Sequence, residues 1–79
     1  MHREEVEAML SYLSLLYEQL SRGRERAVES VVRDTITREK GLPATLTGST
    51  RKAYLNYVET TAVRLDSIRK RIEELKKFL

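Results

Sequence analysis

The stretch YLNYVETTAVRLDSIRKRIEELKKFL, residues 54–79, places Tyr54, Val58, Thr61, Leu65, Ile68, Ile72, Leu75 and Leu79 at steps that alternate four and three. Sustained over more than three heptads, that spacing is the seam of a supercoiling α-helix. Its flanking rows are Leu55, Ala62, Arg69 and Lys76 on one side and Tyr57, Arg64, Arg71 and Phe78 on the other. Neither row holds an acid, so a parallel self-zipper would set like charges against each other. This helix C, about residues 50–79, is therefore expected to pack on an acidic neighbour.

The first third of the chain supplies one. Val6, Met9, Leu10, Leu13, Leu16, Tyr17 and Leu20 recur at helical spacing, with Leu15 on the opposite side. Residues 1–21 hold Glu4, Glu5, Glu7 and Glu18 against the single base Arg3. Ala27, Val28, Val31, Val32, Thr35 and Ile36 extend the pattern to about residue 39. Followed as Leu20, Arg24, Val28, Val31 and Thr35, the phase needs two successive steps of four, a local unwinding. Gly23 costs only about 1 kcal/mol within a helix, so a continuous, bent helix A–B over about 3–39 is preferred to a break there. The β-branched run from Val31 to Thr37 offers a competing reading, a β-hairpin with Ala44–Thr47 across residues 31–47. Gly41-Leu42-Pro43 ends the helix, and Thr47 or Ser49 offers the capping oxygen for the next.

The expected architecture is all-α, a helical hairpin in one small domain, residues 1–79, that pairs into a helical bundle. Without disulfides or metal, a chain of 79 residues commonly needs a partner or another copy of itself to fill its core. The initiating Met and the closed pair of stripes suggest a complete protein.

Composition removes several functions. The chain lacks cysteine, which excludes disulfides, thiolate metal sites and Cys nucleophiles, and His2 is its single histidine. Neither a Ser–His–acid triad nor a multi-His metal site can be built, and no cofactor motif is present. Gly48-Ser49-Thr50-Arg51-Lys52 opens helix C with two cations near a helix N-terminus, but it lacks the spacing and the lysine of a phosphate-binding P-loop. Glu73 and Glu74 point about 100° apart, which does not suit a paired acid and base. A non-enzyme is expected. No run reaches the roughly 18–20 apolar residues of a membrane span, no signal peptide is visible, and a cytoplasmic site of action is expected.

Charge is uneven. Residues 22–52 hold eight bases against four acids, a local +4 within an overall +3. Two functions compete on this pattern. The first is a protein–protein interaction module or accessory subunit, self-associating or docked on a protein partner through Tyr54, Val58, Leu65, Ile68, Ile72 and Leu75. The second is a sequence-nonspecific DNA or RNA binder that places Arg22, Arg24, Arg26, Arg33, Arg38, Lys40, Arg51 and Lys52 on phosphates. Tyr17 and Tyr54 fall on core faces, whereas Tyr12 and Tyr57 sit at stripe edges, where a partner could touch them.

Overall fold

A computed structural model describes residues 2–79. Two helices, α1 (Arg3–Glu39) and α2 (Gly48–Lys76), lie antiparallel in a rod of 58 × 15 × 14 Å. The chain is an all-α helical hairpin.

Gly23 does not interrupt α1, which runs for 37 residues. Its role is close approach. A Cβ at that position would stand 2.6 Å from the Tyr57 hydroxyl oxygen, so the missing side chain is what lets the α2 tyrosine lie against α1. Gly23→Ala should therefore stabilise a Tyr57→Phe protein by about 1 kcal/mol, the helix-propensity gain. In the wild-type background the gain should be smaller. Equal gains by urea denaturation in both backgrounds would contradict the close approach.

The unwinding expected after Leu20 does not occur. The buried residues Ala27, Val31 and Asp34 continue the seam begun at Val6, Leu10, Leu13, Tyr17, Leu20 and Arg24, at unbroken steps of four and three. Val28 and Thr35 belong to the flank. The β-hairpin alternative fails as well, since residues 31–37 are helical. Here Thr35 and Thr37 turn their hydroxyls back onto the carbonyls of Val31 and Arg33, at 2.9 and 2.8 Å. The residues best suited to a strand thus settle their polar groups within the helix.

The turn follows the sequence signals closely. Gly41 takes φ 76°, its amide donates to the Arg38 carbonyl, and the Leu42 amide donates to that of Thr37. This pair of bonds satisfies the last carbonyls of α1 and needs a left-handed residue, which glycine supplies without strain. Thr47 caps α2 by accepting from the Thr50 amide at 3.2 Å. Helix α2 begins two residues before the expected start and ends at Lys76, leaving Phe78 and Leu79 in an exposed final turn.

An ion pair between Asp34 and Arg51 fixes the register. Arg51 also reaches the Val31 carbonyl and Arg24 the Val58 carbonyl, so Val31 stands near Arg51, Ala27 near Tyr54, Arg24 near Val58, Leu13 near Ile68 and the two buried residues Val6 and Leu75 near each other. The two patterns mirror each other step for step, which is why one long hairpin forms rather than three short helices. Val6, Ala27, Val31 and Leu75 are the buried hydrophobic residues, while most of the leucines and isoleucines on the seam are only half-buried.

Candidate functional site

Asp34 is the most enclosed polar group at the turn, with a fully buried side chain. One carboxylate oxygen, Oδ2, accepts from Arg38 Nε and Arg51 Nη1, both at 2.8 Å. The other, Oδ1, accepts from the backbone amides of Thr45 and Leu46 at 2.9 and 3.1 Å, and from the Thr45 hydroxyl. Arg51 also donates to the Thr35 hydroxyl at 2.9 Å, and Arg38 to the Leu46 carbonyl at 3.0 Å. A single carboxylate thereby joins the end of α1, the loop and the first turn of α2. Burial alone would raise its pKa. The Leu46 amide, the two guanidinium groups and the Thr45 amide outweigh that and hold the carboxyl well below the usual carboxylate range.

This clasp redistributes the expected basic cluster. Arg38 and Arg51 are drawn onto Asp34, and Arg22 pairs with Glu18 one turn away. Arg24 lies on the seam and donates from Nε to the Val58 carbonyl at 3.3 Å, crossing between the helices as one of the polar groups that interrupt the apolar strip, with Thr61 and Asp34. Among the described residues, Arg26, Arg33, Lys40 and Lys52 have no carboxylate within ion-pair distance.

Of the six expected interface residues, Leu75 is buried, Val58, Leu65, Ile68 and Ile72 are half-buried, and Tyr54 is exposed. Their seam faces α1 of the same chain. The surfaces left over are the two long sides of the rod, and they differ in chemistry.

On one side Gly23, Arg26, Ala27, Ser30, Tyr54 and Tyr57 line an open recess of about 390 Å³. Toward the free ends of the helices the same side continues through Ala8, Met9, Tyr12, Leu13 and Arg71. Heptad position adds Leu16, Arg33 and Arg64, and with them the carboxylates Glu5 and Glu74. Arg26, Arg33, Arg64 and Arg71 all lie here without an ion-pair partner among the described residues. Tyr12 is 66% exposed and Met9 40%. We term this the arginine face.

The opposite side carries Glu4, Glu18, Glu25 and Glu39 from α1, and Glu59, Asp66 and Glu73 with the bases Lys52, Arg69 and Lys76 from α2, with Val28, Val32 and Leu55 between them. Asp66 accepts from Arg69 and Lys70, whose hydrogen bonds hold its carboxyl below the usual range. Glu73 also pairs with Arg69. Glu25 and Glu59 have no basic partner within that distance among the described residues. We term this the acidic face.

Sequence reasoning missed Asp34, although its signal was present: a carboxylate on the seam, three residues from Val31 and four before Arg38. It also read the flanks of helix C without the matching flanks of α1, and so did not separate the two faces. No helix among the described residues is long and apolar enough to cross a membrane. The chain matches no model of a known protein family, no curated protein and no solved structure, so its own residues carry the functional reading.

Proposed function

We propose that the protein is a non-catalytic interaction module, a small helical subunit that completes its core against further helices, its own copies first among them. The observation that carries this reading is an excess of surface. A compact monomer of 9.2 kDa exposes about 4,900 Å², whereas the hairpin exposes 6142 Å². The difference, roughly 1,200 Å² on one chain, exceeds the roughly 800 Å² that each partner of a standard interface buries. The radius of gyration tells the same story, at 17.5 Å against about 12 Å for a compact domain of this length.

The exposed surface also has the composition of an interface. Met9, Tyr12, Tyr54, Tyr57 and Phe78 are each more than a third exposed. Aromatic residues, methionine and arginine are the types enriched at interface centres. Light scattering on the eluting protein tests the reading. The expected result is a mass above 9.2 kDa that falls on dilution. A monomer at every concentration would count against it.

A second reading, sequence-nonspecific binding of DNA or RNA, is favoured by the unpaired bases Arg26, Arg33, Lys40 and Lys52 in the loop half of the rod. Phosphate contacts by four cations would make affinity fall steeply with salt, with a log–log slope of about −3 to −4. Titration of labelled single strands and duplex at about 50 and 200 mM salt measures that slope. Arg26→Ala/Arg33→Ala should then roughly halve it. Absence of binding at the lower salt leaves these bases to a protein partner.

A further inference from the structure

We infer that the two faces are made for each other: copies of the chain stack side by side in the same orientation, the arginine face of one on the acidic face of the next. The inference rests on the interaction-module reading above and names its partner, a second copy of this chain.

Complementary charge is the first support. Unpaired guanidinium groups predominate on one side of the rod, where Glu5 and Glu74 also lie, and unpaired carboxylates on the other, where Lys52 and Lys76 lie. A single rod thus carries both halves of a contact. The levels along the rod are the second. Arg26 lies eight residues before Asp34, Glu25 nine before it, and Glu59 eight residues beyond Arg51. Arg24 on the Val58 carbonyl and Tyr57 against Gly23 set Glu59 near the level of Gly23, so these three stand within about 5 Å of one height, a span that an arginine side chain covers. By the same contacts Tyr57 stands near Glu25, and Leu55 near Ala27 and its neighbour Val28. Translating one rod onto the next without reversing it therefore brings Arg26 to Glu25 and Glu59, and the Tyr57 ring to Val28 and Leu55. Leu55 is 43% exposed and Tyr57 39%.

Two-fold pairing through the arginine face would instead bring the arginine rows of both copies together. Like charges across an interface are disfavoured. A contact between two different faces is heterologous, so it propagates into a ring or an open stack unless one face is blocked. Nucleic acid is the competing occupant of the arginine face. The acidic face and its matching heights have no part in that case.

Blocking one face at a time tests the inference. Arg26→Ala/Arg64→Ala removes cations from one face, and Glu25→Ala/Glu59→Ala removes carboxylates from the other. All four side chains lack ion-pair partners among the described residues, so helical circular dichroism should be unchanged. In sedimentation velocity each variant alone should self-associate at least tenfold more weakly than the wild type. An equimolar mixture keeps one intact arginine face and one intact acidic face, so it should form a complex of two chains that grows no further.

Wild-type-like assembly of the Glu25/Glu59 variant beside a dissociated Arg26/Arg64 variant would overturn the stacking and leave the interaction module standing. A wild-type protein that stays monomeric would overturn both. Loss of binding to labelled poly(dT) in the arginine variant, with its self-association unchanged, would give that face to nucleic acid and also overturn the stacking.

Discussion

Asp34→Asn is expected to lower the midpoint of thermal unfolding by on the order of 10 °C or more. The substitution keeps the shape of the side chain and removes what the turn is built around. Oδ1 can still accept from the Thr45 and Leu46 amides. The new amide nitrogen, in place of Oδ2, would present a donor to two donors, Arg38 Nε and Arg51 Nη1, each now 2.8 Å from that oxygen. Arg51 is only partly exposed and would be left without its carboxylate. Circular dichroism melts of the two proteins at neutral pH measure the difference. A midpoint within about 2 °C of the wild type would mean that the loop is held by its Gly41 and Thr47 caps alone.

The same carboxylate sets an acid limit. Its folded-state pKa lies below the unfolded value, so its contribution is fully present above about pH 4. It declines as the pH falls below that value, when the unfolded chain takes up the proton first, and is gone once the folded form is protonated too. The wild type should therefore lose more stability than Asp34→Asn between about pH 5 and pH 2. Parallel losses in both proteins would assign the acid sensitivity to other carboxylates.

Leu65→Asp is expected to cost at least about 3 kcal/mol, from lost apolar burial and from a charge placed on the seam. Leu65 lies in the half-buried middle of the rod, one seam position from the buried Thr61. Small domains have only about 5–15 kcal/mol of total stability, and a two-helix rod of this kind belongs at the lower end. The variant should lose most of its helical signal at 25 °C, folding and assembly failing together. Val63→Asp is the control. Val63 is 68% exposed on the outside of α2, and its substitution should change stability by less than about 0.5 kcal/mol. Urea denaturation of the two variants separates these outcomes. A folded, dissociated Leu65→Asp protein would show instead that the seam serves association more than folding.

The α2 seam is legible in the amino-acid sequence because its apolar residues repeat without a gap and nothing charged interrupts them as far as Leu79. On α1 the same repeat is written partly in polar letters. Arg24 and Asp34 occupy seam positions, and following hydrophobicity alone shifts the phase to Val28 and Thr35. The apparent unwinding comes from reading apolar character in place of position. Polar groups hold seam positions here because each finds a partner across the turn or the rod: Arg24 the Val58 carbonyl, Asp34 two guanidinium groups and two amides. Such partnerships join residues up to 34 apart in the chain, and no local pattern announces them.

Gly23 poses a similar problem. In sequence it reads as a weak point in a helix, and only the position of Tyr57 turns it into a packing feature. The cap residues can be read directly because their chemistry is local. Gly41 is the terminator that its sequence context predicts, and Thr47 is one of the two candidates for the cap. The basic cluster is visible as composition, but its division into clasped and free members depends on the hairpin register. Arg38 and Arg51 lie close to Lys40 and Lys52 in the chain and serve a different purpose.

On the proposed reading, the hairpin leaves apolar surface that another helical surface covers. Thermal unfolding followed by circular dichroism over about a hundredfold range of protein concentration tests it most directly, because association that favours the folded chain raises the midpoint with concentration. The expected result is a rise of a few degrees across that range, diminished in the Arg26→Ala/Arg64→Ala protein. A midpoint independent of concentration, from a protein with the mass of one chain, would rule out such coverage and make the rod a self-sufficient fold.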